Sequence, residues 1–143
     1  MNETTFRYEV DGYNFDDAGE ASSAVKRELK QLGLSAEIIR RASICLYEGE
    51  INMVIHAYGG TIDVTVTPER LTMILKDKGP GIPDVELAMR EGFSTANDTA
   101  RRRGFGAGMG LANMKRYADT IEVESEMGVG TTVRMVIELK VES

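Results

Sequence analysis

Residues 104–111 read GFGAGMGL, with glycine at every second position. Few local patterns constrain a fold more. A glycine inside a helix costs about 1 kcal/mol relative to alanine, and a glycine inside a strand weakens packing and raises the entropy cost of ordering. The segment is therefore either a linker or a backbone kept bare so that something can approach it closely. The next ten residues favour the second reading. In LANMKRYADT, Leu111, Met114 and Ala118 recur at helical spacing, so the glycines run straight into a helix N-terminus. Such an end carries unpaired N–H groups and a partial positive charge, which suits an anion.

The rest of the chain is compatible with one folded domain spanning 1–143. Hydrophobic residues make up 42% and charged residues 28%, the range of globular proteins. A formal net charge of −6 argues against wholesale nucleic-acid binding, although RRR at 101–103 is locally basic. The single cysteine, Cys45, excludes an internal disulfide and a cysteine-based zinc site. The polar N-terminus and the lack of an 18-residue apolar run lead us to expect a cytoplasmic location.

Periodicity sets out the elements. Phe6, Tyr8 and Val10 alternate with polar residues as in a strand. A helix comes next, capped by Asp16 or Asp17 and closed at Gly33, and a second helix runs from Ser35 to about Ala57. TIDVTVTP and RLTMILKD read as strands, KGPGIPD as a loop and VELAMREG as a short helix. After the glycine-fed helix, TIEVESE and TTVRMVIELKV form a hairpin around MGVG. This order predicts an α+β fold: a two-layer sandwich with a mixed, mostly antiparallel sheet covered on one face by helices. The polar stretch from Phe93 to Gly108 is long for a connector. With three arginines beside the glycines it reads as a lid over an anion.

Three constellations carry chemistry. In YEGEINMVIHAYGG, Glu48, Asn52 and His56 lie at i, i+4 and i+8, within a sector of roughly 80° of one helix. A carboxylate can act as a general base and an amide oxygen can ligate a hard cation; taken alone, the stripe reads more readily as a solvated helix face, because Glu-x3-Asn is a common spacing. In DKGPGIPD, Asp77 closes an aliphatic strand and Gly79 and Gly81 come after it. A carboxylate there can accept from an exocyclic amine, and the glycines let a flat ring lie against the backbone, but a plain turn also fits. The third is the glycine run itself. It is not a Walker A loop, having no Gly-Lys-Ser/Thr, and not a dinucleotide fingerprint, since the spacing fails.

In this order, Glu-x3-Asn, a strand ending Asp-x-Gly-x-Gly, a lid at about 93–108 and Gly-x-Gly-x-Gly-Leu at a helix start, the chain resembles the GHKL superfamily. This is the Bergerat or histidine-kinase-like ATPase fold shared by gyrase, Hsp90, histidine kinases and MutL. Within it, DKGPGIPDVELAMREGFSTA and GAGMGL..MKRYAD are similar to anti-sigma-factor serine/threonine kinases and the related switch kinases of bacterial regulatory modules. The resemblance implies ATP and Mg2+ as cofactors and a STAS-type antagonist protein as the phosphorylated partner. It also allows a sigma factor or downstream signalling protein as a further partner, and leaves a homodimer open. It implies Glu48 as general base, Asn52 as Mg2+ ligand and Asp77 as the adenine-amine acceptor. Gly79 and Gly81 would shape the adenine pocket, and Thr131 in GVGTTV would help hold the base. Gly106, Gly108 and Gly110 would offer N–H groups to the phosphates, with Arg101, Arg102 or Arg103 on the γ-phosphate.

The chain departs from the family pattern at Gly49 and Glu50, where small or apolar residues are usual, which predicts a more exposed or looser turn of helix. His56 reads as a packed, hydrogen-bonded residue. Alternatives to a protein-serine kinase are an ATP-gated module that sequesters a sigma factor or other regulator, and the catalytic domain of a histidine kinase acting in trans.

Overall fold

A computed structural model describes residues 3–12, 18–56, 59–79 and 110–139. Its elements are β1 (Thr4–Asp11), α1 (Glu20–Gln31), α2 (Ala36–His56), β2 (Gly59–Val66), β3 (Arg70–Asp77), α3 (Gly110–Tyr117), β4 (Thr120–Glu126) and β5 (Gly130–Glu138). The five strands form one sheet in the order β1-β2-β3-β5-β4, and each neighbouring pair is antiparallel.

Alternation along the strands sorts the two faces, broken in β5 by Val136, which is buried as well. Leu71, Met73 and Leu75 of β3 point inward and are buried, opposite Val66, Val64 and Ile62 on one side and Ile137, Met135 and Val133 on the other. Burying one such side chain contributes roughly 1.5–3 kcal/mol. The outward residues carry the polar pairs: Arg7 donates to both oxygens of Asp63 at 2.7 and 3.1 Å across β1–β2, and Arg134 pairs with Glu122 across β4–β5. The three described helices lie against the apolar face. The expected two-layer architecture is present, with the sheet wholly antiparallel among its described strands.

Named residues account for the helix ends, with one correction. Ser35 caps α2, its Oγ accepting from Ile38 N at 3.2 Å. Gly33, at φ 79, closes α1 with paired bonds from Gly33 N to Lys30 O and from Leu34 N to Leu29 O, the arrangement that a left-handed residue after a helix allows. The start of α1 differs from expectation. The helix begins at Glu20, Gly19 sits at the cap position and no local side chain caps it. Glu50 of α2 does so from a distance. One of its oxygens accepts from Gly19 N at 2.9 Å and Ala21 N at 3.2 Å, the other from Ser22 N at 2.8 Å and Ser22 Oγ at 2.6 Å.

That arrangement also overturns the expectation of a loose, exposed turn at Gly49 and Glu50. Both are buried, Glu50 at 2% exposure. A Cβ on Gly49 would overlap Leu75 Cδ2 and lie 3.7 Å from Met114 Sδ, so the missing side chain is what lets α2 press onto β3 and α3. Helix α3 runs antiparallel to α2. At one end Arg41 donates to Tyr117 O at 2.9 Å and to Asp119 Oδ1 at 3.1 Å, and the Arg40 guanidinium lies 5.5 Å from the Tyr117 ring centroid. At the other end Gly110 meets Asn52.

Candidate functional site

At one end of the sheet the apolar rows of the inner face give way to polar residues. Asp77 lies two residues beyond Leu75 on β3, Thr131 precedes Val133 on β5, and Ser125 stands opposite Thr131 on β4. Asp77 Oδ1 accepts from the backbone N–H of Thr131 at 2.9 Å and from that of Gly79 at 3.0 Å. Both bonds end on one oxygen, which fixes the carboxylate plane and aims Oδ2 away from these two donors. The Thr131 and Ser125 hydroxyls are 2.8 Å apart. Gly130 makes the close approach possible. At φ 147, a Cβ there would overlap Asp77 O and come within 3.2 Å of Oδ1.

The second half of the site lies between α2 and α3. Glu48 and Asn52 are half-buried on the same stripe of α2, which positions them one turn apart beside α3. Asn52 abuts Gly110, where a Cβ would come 3.0 Å from Nδ2 and 3.1 Å from Oδ1. One turn into α3, Asn113 donates from Nδ2 to Glu48 Oε2. The next residue, Met114, is fully buried and its carbonyl faces Cys45 Sγ at 3.8 Å. Burial pushes the Cys45 thiol up to about 12, so it packs as a neutral hydrophobe and not as a nucleophile.

Thus the fold brings together Glu48, Asn52 and Gly110 in one place and Asp77, Gly79 and Thr131 in another, with Gly49 on Leu75 joining the two. The other expected residues, Gly81, Arg101, Arg102, Arg103, Gly106 and Gly108, fall outside the described residues, as do the lid at 93–108 and the short helix VELAMREG. His56 ends α2, and its side chain is likewise not among those described. Three contributors carry little or no signal in the sequence. Asn113 shows there only as a polar residue beside the apolar stripe of α3. Ser125 shares the inward parity of Ile121 and Val123, but a lone serine at a strand end carries no chemical signal of its own. Glu50 has no local signal, because its partners precede it by 28 to 31 residues.

Chemically, the site offers a half-buried carboxylate held by an amide, a second amide at a helix N-terminus, and a further carboxylate with one oxygen engaged by backbone N–H groups. Among the described residues no group of three or more His, Cys, Asp or Glu converges to hold a metal. Of the groups described, the Asn52 side-chain oxygen is the kind of ligand that a hard cation takes.

Comparison with known proteins identifies the family. The family profile described as histidine kinase-, DNA gyrase B-, and HSP90-like ATPase matches residues 40–141. An anti-sigma F factor of Caldanaerobacter subterraneus subsp. tengcongensis is 36% identical over 120 residues, 80% of each chain. The serine/threonine-protein kinase RsbT of Bacillus subtilis is 32% identical over 111 residues, 75% of this chain and 77% of that one. Among solved structures, the mycobacterial sensor histidine kinase MprB superposes with a TM-score of 0.54 over 94% of this chain and 97% of its own, at 17% identity, a likeness of fold alone. The profile match runs from the second turn of α2 through the last strand and so takes in each half of the site; the chain belongs to the histidine kinase-, DNA gyrase B- and HSP90-like ATPase family.

Proposed function

We propose that this protein is an ATP-dependent protein-serine kinase of a partner-switching regulatory system, acting on a small STAS-type antagonist protein. The observation that carries the reading is the pairing of two differently used carboxylates. Asp77 is pinned through Oδ1 by backbone N–H groups, whereas Glu48 stands beside the N-terminus of α3, held by one amide. The first is built to recognise, the second to take a proton.

In this reading Asp77 Oδ2 would accept a hydrogen bond from the exocyclic amine of adenine, and Gly79, Gly81 and Thr131 would surround the ring. The triphosphate would lie at the N-terminus of α3, with Gly106, Gly108 and Gly110 offering N–H groups and an arginine among 101–103 meeting the γ-phosphate. Asn52 would hold a Mg2+ ion arriving with the nucleotide, and that ion would neutralise phosphate charge. Glu48 removes the proton from the acceptor serine hydroxyl as its oxygen attacks the γ-phosphorus. The phosphorus–oxygen bond to ADP breaks, the phosphoryl group ends on the serine and the proton on Glu48. Positioning and charge stabilisation supply most of the acceleration in such transfers. The name of the 36% identical relative, anti-sigma F factor, also favours a sigma factor as a bound partner.

The test is to incubate the purified protein with Mg2+, γ-labelled ATP and lysate of the source organism, then to challenge labelled bands with acid. An acid-stable band supports serine or threonine phosphorylation. An acid-labile band would transfer the reading to a histidine kinase. ATP binding with no labelled band would leave an ATP-gated binding module.

A further inference from the structure

We propose that Asn113 is a positioning residue for phosphoryl transfer: its side-chain amide orients the Glu48 carboxylate so that one oxygen faces the acceptor hydroxyl. The inference rests on the reading of Glu48 as base. A glutamate on a helix surface has three rotatable side-chain bonds, and holding it in one arrangement costs side-chain entropy. An effective base is therefore commonly held by a third group, as in nucleophile–base–orienter arrangements. Asn113 supplies that group. Its Nδ2 donates to Glu48 Oε2, which leaves Oε1 to accept the serine proton. The donor is neutral, so it directs the carboxylate without forming an ion pair that would compete for its charge.

The support under Asn113 is rigid. Met114, the next residue, is fully buried against Cys45 and the side-chain-free surface of Gly49. Towards the end of the helix, Tyr117 O accepts from Arg41. One turn before Asn113, Gly110 abuts Asn52. The helix whose N-terminus receives phosphate in the proposed reading therefore also carries the group that aims the base. Nucleotide seating and base orientation are two properties of one short body, α3, clamped along α2.

The experiment compares Asn113→Asp, Asn113→Gln and Glu48→Gln with the unaltered protein. Melting temperature, Mg–ATP affinity and the rate of label incorporation from γ-labelled ATP into the lysate acceptor are measured side by side. Asn113→Asp is isosteric but removes the donor and sets a second carboxylate against Glu48. It should keep Mg–ATP affinity within about twofold and lower the transfer rate by roughly tenfold or more, a fraction of the 10²–10⁴ that a positioned base supplies. Asn113→Gln, which keeps an amide donor, should recover part of that loss. The proposal is overturned if Asn113→Asp transfers at the unaltered rate while Glu48→Gln does not. It is equally overturned if the rate, affinity and melting temperature of Asn113→Asp fall together with no recovery in Asn113→Gln, since that pattern marks packing alone. A Glu48→Gln protein that transfers normally would instead remove the base assignment on which the proposal stands.

Discussion

Asp77 and Gly130 show how much one position can decide. The Asp77 carboxylate is fixed in place because Thr131 N and Gly79 N hold Oδ1, and Thr131 N reaches it because residue 130 has no side chain. Gly130→Ala should therefore cost about 2 kcal/mol or more in stability, from the overlap with Asp77 O and from the unfavourable φ of 147. It should also weaken ATP binding; calorimetric titration and a denaturant melt would check the two separately. Cys45 tests the interior in another way. Its thiol, raised by burial to about 12, stays protonated in the folded protein while an unfolded thiol titrates near the ordinary value of about 8.5. The folded state thus binds the proton more tightly. Its stabilising contribution is fully present below the unfolded value and is lost as pH rises from there toward 12. Alkylation with iodoacetamide at a pH of about 8 should modify Cys45 only after denaturant is added, and rapid modification of the native protein would contradict the buried placement.

Among the elements, α2 does most to join fold and site. One stripe carries Glu48 and Asn52 toward α3, Gly49 lets the helix settle on Leu75, and Glu50 reaches back to cap α1. Removing the Glu50 side chain leaves three backbone N–H groups and the Ser22 hydroxyl without an acceptor in a buried setting. Glu50→Ala should lower stability by roughly 2–4 kcal/mol, and Glu50→Gln, which keeps one oxygen, by less. Chemical denaturation of both variants would read this, and equal stability of Glu50→Ala would show the cap to be dispensable. What was legible at this scale depended on how local the signal was. RLTMILKD is β3 to the residue, because alternation of aliphatics and the closing Asp77 are contained within it. Gly33 and Ser35 mark their helix ends for the same reason. The start of α1 was not legible. Its cap comes from another helix, and no window around residue 20 contains Glu50.

For the whole molecule, the antiparallel order β1-β2-β3-β5-β4 places the end of β3 next to the start of β5 and lets α2 and α3 converge above them. Residues 48, 52 and 110 and residues 77 and 131, spread over more than half of the chain, are thereby drawn into two groups linked through Gly49 and Leu75. The motif order made that gathering legible in advance, since a carboxylate at a strand end and glycines at a helix start each carry a local chemical reason. The contact between Asn113 and Glu48 spans 65 residues and depends on how α3 lies along α2, which no periodicity records. The division of labour proposed for the site gives Glu48 the transfer step and Asp77 the nucleotide. The Glu48→Gln protein decides it, with Mg–ATP affinity and transfer from γ-labelled ATP measured on the same preparation. Affinity should be unchanged and transfer reduced by about 10²-fold or more. Transfer at the unaltered rate, or affinity lost along with it, would contradict the assignment.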